Sequence, residues 1–72
     1  MTRARRVSGK ELVRLLRAYG FEVTRVRGSH HIVQHPDCRN SSVPIHGNEN
    51  LGIGLLSSIL KDCELSFDDL DA

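Results

Sequence analysis

The chain has 72 residues, of which 39% are hydrophobic, with ten Lys or Arg against nine Asp or Glu and a net charge of +1. A chain this short makes one domain with a thin core and no deep substrate pocket, so any chemistry is expected at the surface, on a large ligand. No segment approaches the roughly 20 apolar residues of a membrane span, and two cysteines in unrelated contexts favour reduced thiols in a cytoplasm over a disulfide framework.

A first helix is predicted to follow Ser8. Ser8 and Glu11 form a capping box, in which the Ser8 side chain caps the helix and Glu11 reaches back to the Ser8 backbone. Val7 and Leu12 stand where a hydrophobic staple closes, and Gly20 ends the helix as a left-handed cap. The apolar side chains recur at helical spacing, at Leu12, Leu15, Leu16 and Tyr19.

Three strands are predicted next, at 21–27, 30–34 and 42–45. Gly28 and Ser29 make the tight turn between the first two strands. Strict alternation in the first strand separates its side chains into two groups, Phe21, Val23 and Arg25 against Glu22, Thr24 and Val26. Pro44 cannot donate a hydrogen bond to a ladder, so the third strand is expected at an edge or with this position facing outward.

A second helix is predicted at about 53–63, from the apolar stripe Leu55, Leu56, Ile59, Leu60 and Cys63. Ser66 is expected to cap a final turn that packs Phe67 and Leu70 against the domain. The order helix, three antiparallel strands, helix predicts an α+β meander with both helices on one face and the other face open to solvent. We expect one domain over 1–72, with a flexible basic N-terminus at 1–6.

The charged residues are distributed unevenly along the chain, which the small net charge does not show. Residues 1–39 carry nine basic against three acidic residues, a net +6, whereas residues 40–72 carry one basic against six acidic residues, a net −5. This distribution is typical of a basic face for a polyanion, with an acidic end kept away from it. A purely solubilising surface charge explains the same pattern, so charge alone does not distinguish this explanation from a polyanion-binding face.

The histidines are concentrated in the second and third strands. His30, His31 and His35 belong to one predicted strand or its end, and His46 ends the next strand. Histidine has an ordinary pKa of about 6.5, so it both takes and gives a proton near neutral pH. RNA cleavage needs a base for the ribose 2′-hydroxyl, an acid for the departing oxygen and positive charge at the phosphate. His30 beside Arg27 supplies parts of that, although a single strand histidine is more often structural.

Motifs follow one another in a characteristic order: Gly9-Lys10-Glu11-Leu12, Gly20-Phe21, Arg27-Gly28-Ser29-His30-His31, His35-Pro36-Asp37, Val43-Pro44-Ile45-His46, Leu55-Leu56-Ser57-Ser58-Ile59-Leu60-Lys61 and Leu65-Ser66. In order and spacing they resemble the HicA family of toxins throughout, over about residues 7 to 70. The specific combination is the Gly-Ser-His-His turn with the distant Val-Pro-x-His.

The resemblance implies a fold like the double-stranded-RNA-binding domain, ribosome-independent mRNA cleavage, no metal cofactor and neutralisation by a HicB-type antitoxin. It places the catalytic histidine at His30, directly after the turn, with His31 as the reserve candidate. Alternation puts these two side chains on opposite faces, so only one of them faces the RNA. Lys10, Arg27 and Ser29 are the expected RNA-binding residues, and we expect the antitoxin to cover His30 and Arg27.

Two positions depart from the family pattern. Cys38 stands where the family's turn usually has Gly, which affects the loop before the third strand. The segment 51–54 lacks the lysines common before the second helix, which thins the predicted RNA-binding edge.

Other interpretations remain open beside the nuclease. A non-catalytic RNA-binding module of the same fold shares every feature except the histidine, although the chain is small for a domain that spans about 16 base pairs. A protein-interaction subunit is a third class.

A zinc site would draw on His31, His35, Cys38 and His46, but their spacing contains no tight chelating pair. His35-Pro36-Asp37 also resembles the J-domain signature, but here strand-type residues precede it.

Overall fold

The computed structural model describes residues 6–71 of the chain. The expected flexible N-terminus at 1–6 falls almost entirely on residues 1–5, outside the described residues. The elements, in chain order, are α1 (Gly9–Ala18), β1 (Glu22–Arg27), β2 (His30–Gln34), β3 (Asn40–Pro44), α2 (Ile53–Asp62) and a 3-10 helix, η1 (Phe67–Asp71). The predicted α-β-β-β-α order is confirmed, and it is consistent with a double-stranded-RNA-binding-domain-like fold. In the described range, neither helix is long and apolar enough to cross a membrane.

Helix α1 begins and ends at the predicted residues. The backbone N–H of Glu11 donates to the Ser8 hydroxyl at 3.2 Å, and the Ser8 N–H donates to the Glu11 carboxylate at 3.2 Å, which completes the capping box. At the other end, Gly20 has φ +95° and donates to the Arg17 carbonyl, while Phe21 donates to the Leu16 carbonyl. This pair of hydrogen bonds is a Schellman motif, which needs a residue that tolerates the left-handed conformation.

The strands form an antiparallel sheet in the order β1-β2-β3, which puts Pro44 in an edge strand as expected. The predicted alternation in β1 is wrong beyond Val23. Val23 pairs with Val33 but Arg25 pairs with Ile32, so Thr24 is an extra residue in a β-bulge. A bulge shifts the alternation by one residue. Val26 therefore lies on the same side of the sheet as Val23, and Arg25 lies on the other side.

Both helices pack against one face of the sheet. Val33 of β2 and Val43 of β3 are buried in a single cluster with residues of α1, α2 and η1. Gly9 lies directly against β3, because a Cβ at this position would overlap the backbone carbonyl of Pro44. Leu70 of η1 is buried and Phe67 is partly buried against the same cluster, as predicted.

The turn between β2 and β3 is tied to the core by Arg39. Its guanidinium donates to Asp37 at 2.7 Å and to the Cys63 carbonyl at 2.6 Å, and it lies 5.1 Å from the centre of the Phe21 ring. His35 packs edge-on against the same ring, with its Nδ1 3.0 Å from the Asp37 carboxylate. These contacts connect the turn to the end of α2.

Both cysteines are free thiols, in agreement with the sequence. Cys63 is buried, and the desolvation that accompanies burial, with a smaller contribution from Asp62, raises the pKa of its thiol to about 11. The Cys63 side chain is therefore neutral near pH 7 and acts as a small apolar group in the core. Cys38 is exposed and has φ +82°, the left-handed region that glycine adopts without steric cost. The turn thus has a glycine-like backbone although the residue is Cys.

Acid is expected to destabilise the fold partly through Asp37. Desolvation opposes the shift, but hydrogen bonds from the backbone and side chain of Arg39 prevail and hold the pKa of Asp37 below its ordinary 3.8. A carboxyl whose pKa is lower in the folded state stabilises that state above the unfolded pKa, and this contribution is lost as pH falls through the folded pKa. Asp37→Asn should lower the free energy of unfolding at pH 7 and flatten its decline below about pH 4.

Urea denaturation at a series of pH values measures this effect. Asp68→Asn is the control, because the Asp68 carboxyl makes no hydrogen bond within residues 6–71. Equal pH profiles for the wild type and Asp37→Asn would show that the Arg39 contacts do not stabilise the ionised carboxyl.

Replacing Cys38 with Gly should stabilise the protein. A left-handed conformation costs an L-residue roughly 1–2 kcal/mol, and Gly avoids this cost. Part of the gain is offset because Gly has greater conformational freedom in the unfolded chain, which it loses on folding. We expect the free energy of unfolding to rise by about 0.5–1 kcal/mol in Cys38→Gly. Cys38→Ala keeps the Cβ and serves as the control in urea denaturation. An equal gain in both variants would attribute the effect to loss of the thiol instead of the backbone.

Candidate functional site

The sheet has one face without a helix, which we call the open face. Val33 and Val43 point into the core, so their neighbours in β2 and β3 point the opposite way. Strand pairing then gives the side chains of the open face: Glu22, Arg25, Arg27, His30, Ile32, Gln34, Asn40, Ser42 and Pro44. The predicted solvent-facing side of the sheet is therefore polar, with two arginines and one histidine.

His30 is exposed at the first position of β2, immediately after the turn at Gly28 and Ser29. Gly28 has φ +60°, which a two-residue hairpin turn of this kind requires. The His30 Nδ1 lies 3.3 Å from the Ser42 hydroxyl. A hydroxyl both donates and accepts, so Ser42 orients the ring in either tautomer. The Nε2 atom makes no hydrogen bond to any described residue, and His30 as a whole is exposed.

Positive charge on the open face comes from β1. Arg27 is the register partner of His30, and directly opposed side chains in an antiparallel pair have Cβ atoms about 4.5–5.5 Å apart. Arg25 lies on the same face two residues earlier, because the bulge at Thr24 turns it there. Both arginines are exposed, and neither forms an ion pair with a residue of 6–71. Their charge is therefore available to an external anion beside His30.

His31 lies on the helix side of the sheet. It pairs with Val26 and Val43, is half-buried, and has its Nδ1 3.2 Å from the backbone carbonyl of Ser29. The expectation that His30 and His31 face opposite sides is confirmed. The His31 side chain therefore points to the side of the sheet opposite Arg27.

The structure separates the other predicted RNA-binding residues. Lys10, on the first turn of α1, lines a cleft with His31 on the helix side. It lies at the same end of the sheet as His30, because the preceding Gly9 contacts Pro44, the partner of His30 in β3. Ser29 is half-buried in the turn, and its carbonyl accepts a hydrogen bond from the Ile45 N–H at 2.7 Å. Arg27 alone of these three directly faces His30.

The remaining histidines are placed elsewhere. His35 follows the last residue of β2, about 16 Å along the strand from His30 at 3.3 Å per residue, and is held by Asp37 and Phe21. His46 is exposed in the loop after β3. In the part of the chain that the structure describes, no three His, Cys, Asp or Glu side chains are arranged to hold a metal ion. The four residues of the zinc alternative are thus not brought together.

Sequence reasoning did not single out Ser42 or Arg25. The contact between His30 and Ser42 depends on the register across a five-residue turn, and the position of Arg25 depends on the bulge. No local motif marks either feature. The pairing of Arg27 with His30 was accessible, because a two-residue turn makes its flanking residues partners.

Comparison with known families gives a match that covers most of the described elements. A family model described as "HicA toxin of bacterial toxin-antitoxin" matches residues 9–65, from the start of α1 to beyond the end of α2. No curated protein matches the chain. The matched segment contains the open face, both strand histidines and the glycines that shape their turns. Since the match covers most of the chain, the chain belongs to the HicA toxin family of bacterial toxin–antitoxin systems, and its partner is an antitoxin.

Proposed function

We propose that this toxin is a ribosome-independent endoribonuclease that cleaves mRNA in the cytoplasm, with His30 as its catalytic residue. The observation that carries the proposal is the geometry of His30. The side chain is exposed on a face without helices, one ring nitrogen is oriented by Ser42, the other has no hydrogen-bond partner among the described residues, and Arg27 lies opposite. Membership of a toxin family supplies a reason for a growth-arresting activity.

The proposed chemistry needs a proton acceptor and a proton donor at one phosphodiester. His30 acts as general base or general acid through Nε2, a role that contributes about 10²–10⁴-fold in rate. His31 lies on the other face and His35 at the other end of β2, so neither supports the second proton transfer. We assign that transfer to solvent water. The reaction requires no metal, because imidazole moves the proton and guanidinium supplies the positive charge.

Arg27 binds the scissile phosphate in this proposal. Charge-assisted hydrogen bonds from Arg to phosphate are strong but carry little sequence information. Arg25 binds a neighbouring phosphate on the same face. Lys10, at the same end of the sheet, contacts the RNA where the RNA leaves the open face. Ser29 contacts the RNA at the turn between β1 and β2. The footprint thus follows the His30 end of the sheet.

A HicB-type antitoxin covers the open face in the proposed inhibited state. The connections within the sheet are short, two residues between β1 and β2 and five between β2 and β3, and the longer connection of eight residues at 45–52 joins β3 to α2. That segment is held to the domain at both ends, because the Ile45 N–H donates to the Ser29 carbonyl and the Leu51 N–H donates to the Val7 carbonyl. None of these connections is therefore free to close over His30. Inhibition has to come from another molecule, and an acidic or hydrogen-bonding surface complements Arg25 and Arg27.

His30→Ala should abolish RNA cleavage and growth arrest while the fold is retained. The side chain is exposed and contributes little packing, whereas loss of a general acid–base group costs about 10²–10⁴-fold in rate. A cleavage assay on purified protein with single-stranded RNA measures the effect, and circular dichroism checks folding. His31→Ala is the matched control from the adjacent position.

If His30→Ala cleaved RNA at the wild-type rate while His31→Ala did not, the catalytic role would belong to His31. Wild-type protein that binds RNA and never cleaves it would favour the non-catalytic RNA-binding module.

RNA affinity should fall steeply with salt, because each phosphate neutralised by Lys or Arg releases counterions. For a single strand the slope of log K against log salt is about −0.7 per phosphate contact, so Arg27→Ala should flatten the slope by about that amount. The weakening should be similar for all RNA sequences. Titration of labelled RNA at several salt concentrations provides the measurement, with exposed Lys61 of α2 as the control in Lys61→Ala. Salt-independent affinity would contradict an electrostatic footprint.

A further inference from the structure

A cleft of about 450 Å³ lies on the helix side of the sheet, between α1 and the β1–β2 hairpin. The proton transfer proposed for His30 does not use it, and of its lining residues only Lys10 is also assigned to the RNA footprint. Its volume is within the range of about 300–1,000 Å³ that ligand sites occupy. The apolar part of the lining is entirely aliphatic: Val13, Val23, Val26 and Ile45.

The rim of the cleft is cationic. Lys10, Arg14 and Arg17 line it, and their spacing of four and three residues puts them on one flank of α1. All three are exposed, and none forms an ion pair with a residue of 6–71. Among the described residues that line the cleft, none is acidic. The charge of this flank is therefore uncompensated within the toxin and complements carboxylates.

The aliphatic lining argues for a polypeptide occupant over RNA. RNA bases are held mainly by stacking on aromatic rings. In the described lining the single ring is that of His31, whose Nδ1 lies within hydrogen-bond distance of the Ser29 carbonyl. Val26 is 55% exposed at the mouth of the cleft, although it is a large aliphatic side chain in a strand. An apolar side chain from a partner would cover it. Apolar side chains flanked by carboxylates match both parts of the lining.

We infer that this cleft binds a segment of the antitoxin in which apolar side chains enter between α1 and β1 and carboxylates contact Arg14 and Arg17. The inference rests on membership of the toxin–antitoxin family and not on RNA cleavage by His30. β1 is an edge strand, and its consecutive residues Val26 and Arg27 point to the cleft and to the open face. An antitoxin anchored in the cleft reaches the open face around this edge.

The test uses the full-length toxin and the separately purified antitoxin of the same toxin–antitoxin pair, with binding followed by surface plasmon resonance. Arg14→Glu reverses the charge at an exposed position with another good helix former. We expect its dissociation constant to rise about tenfold or more, mainly through slower association, as is typical of charges at the rim of an interface. Lys61→Glu, the same kind of reversal on α2, should change it less than about twofold.

A second variant tests the apolar part of the cleft. Val26→Thr keeps the β-branched shape that strands favour and replaces one methyl with a hydroxyl. It should speed dissociation of the antitoxin about threefold, with association nearly unchanged, because buried contacts act mainly on the dissociation rate. Free toxin carrying Arg14→Glu or Val26→Thr should cleave RNA within about twofold of the wild-type rate, because both side chains lie away from His30.

Three outcomes would overturn the inference. Antitoxin affinity unchanged in both variants would exclude the cleft as a docking site. Lost RNA binding with normal antitoxin affinity would make the cleft part of the RNA site. A wild-type dimer in sedimentation that Arg14→Glu converts to monomer would identify a second copy of the chain as the occupant. Failure of His30→Ala to affect cleavage would overturn the proposed function and leave the affinity result standing.

Discussion

Burial of Val33 fixes the orientation of every side chain in β2. Successive residues of a strand point to opposite faces, and a slip of one residue would move the whole set to the other side. With Val33 in the core beside Val43, the side chain of His31 lies on the helix side and that of His30 on the open face. The separation of a proposed catalytic surface from a proposed docking cleft follows from this one constraint.

Four arginines from the basic half of the sequence lie on two surfaces of the folded protein. Arg25 and Arg27 lie on the open face, whereas Arg14 and Arg17 lie on the flank of α1, on the opposite side of the sheet. Arg39 belongs to neither surface, because it binds Asp37 and the Cys63 carbonyl. Among the described residues, the single positive face that the charge distribution suggested is therefore replaced by two surfaces, which adjoin at the β1 edge and near Lys10.

Features set by local hydrogen bonds were predictable from the sequence. The capping box at Ser8, the left-handed cap at Gly20 and the turn at Gly28 and Ser29 each depend on a few neighbouring residues. The bulge at Thr24 was not predictable, since it depends on how β1 pairs with β2. The contact of Ser42 with His30 and the cleft beside α1 depend on elements far apart in the sequence. Predicting them required the register and the packing of the helix.

The contact of Gly9 with β3 also limits how α1 can move. The first turn of the helix lies against the Pro44 carbonyl with no side chain between them, so this end cannot approach the sheet further. The other end is held by side chains, including a hydrogen bond of 2.8 Å from the Tyr19 hydroxyl to the Asp69 carbonyl. The distance between α1 and the sheet is therefore set by backbone atoms at Gly9 and by side chains at the Tyr19 end. A change of size in the core side chains should thus alter the width of the cleft more at Arg17 than at Lys10.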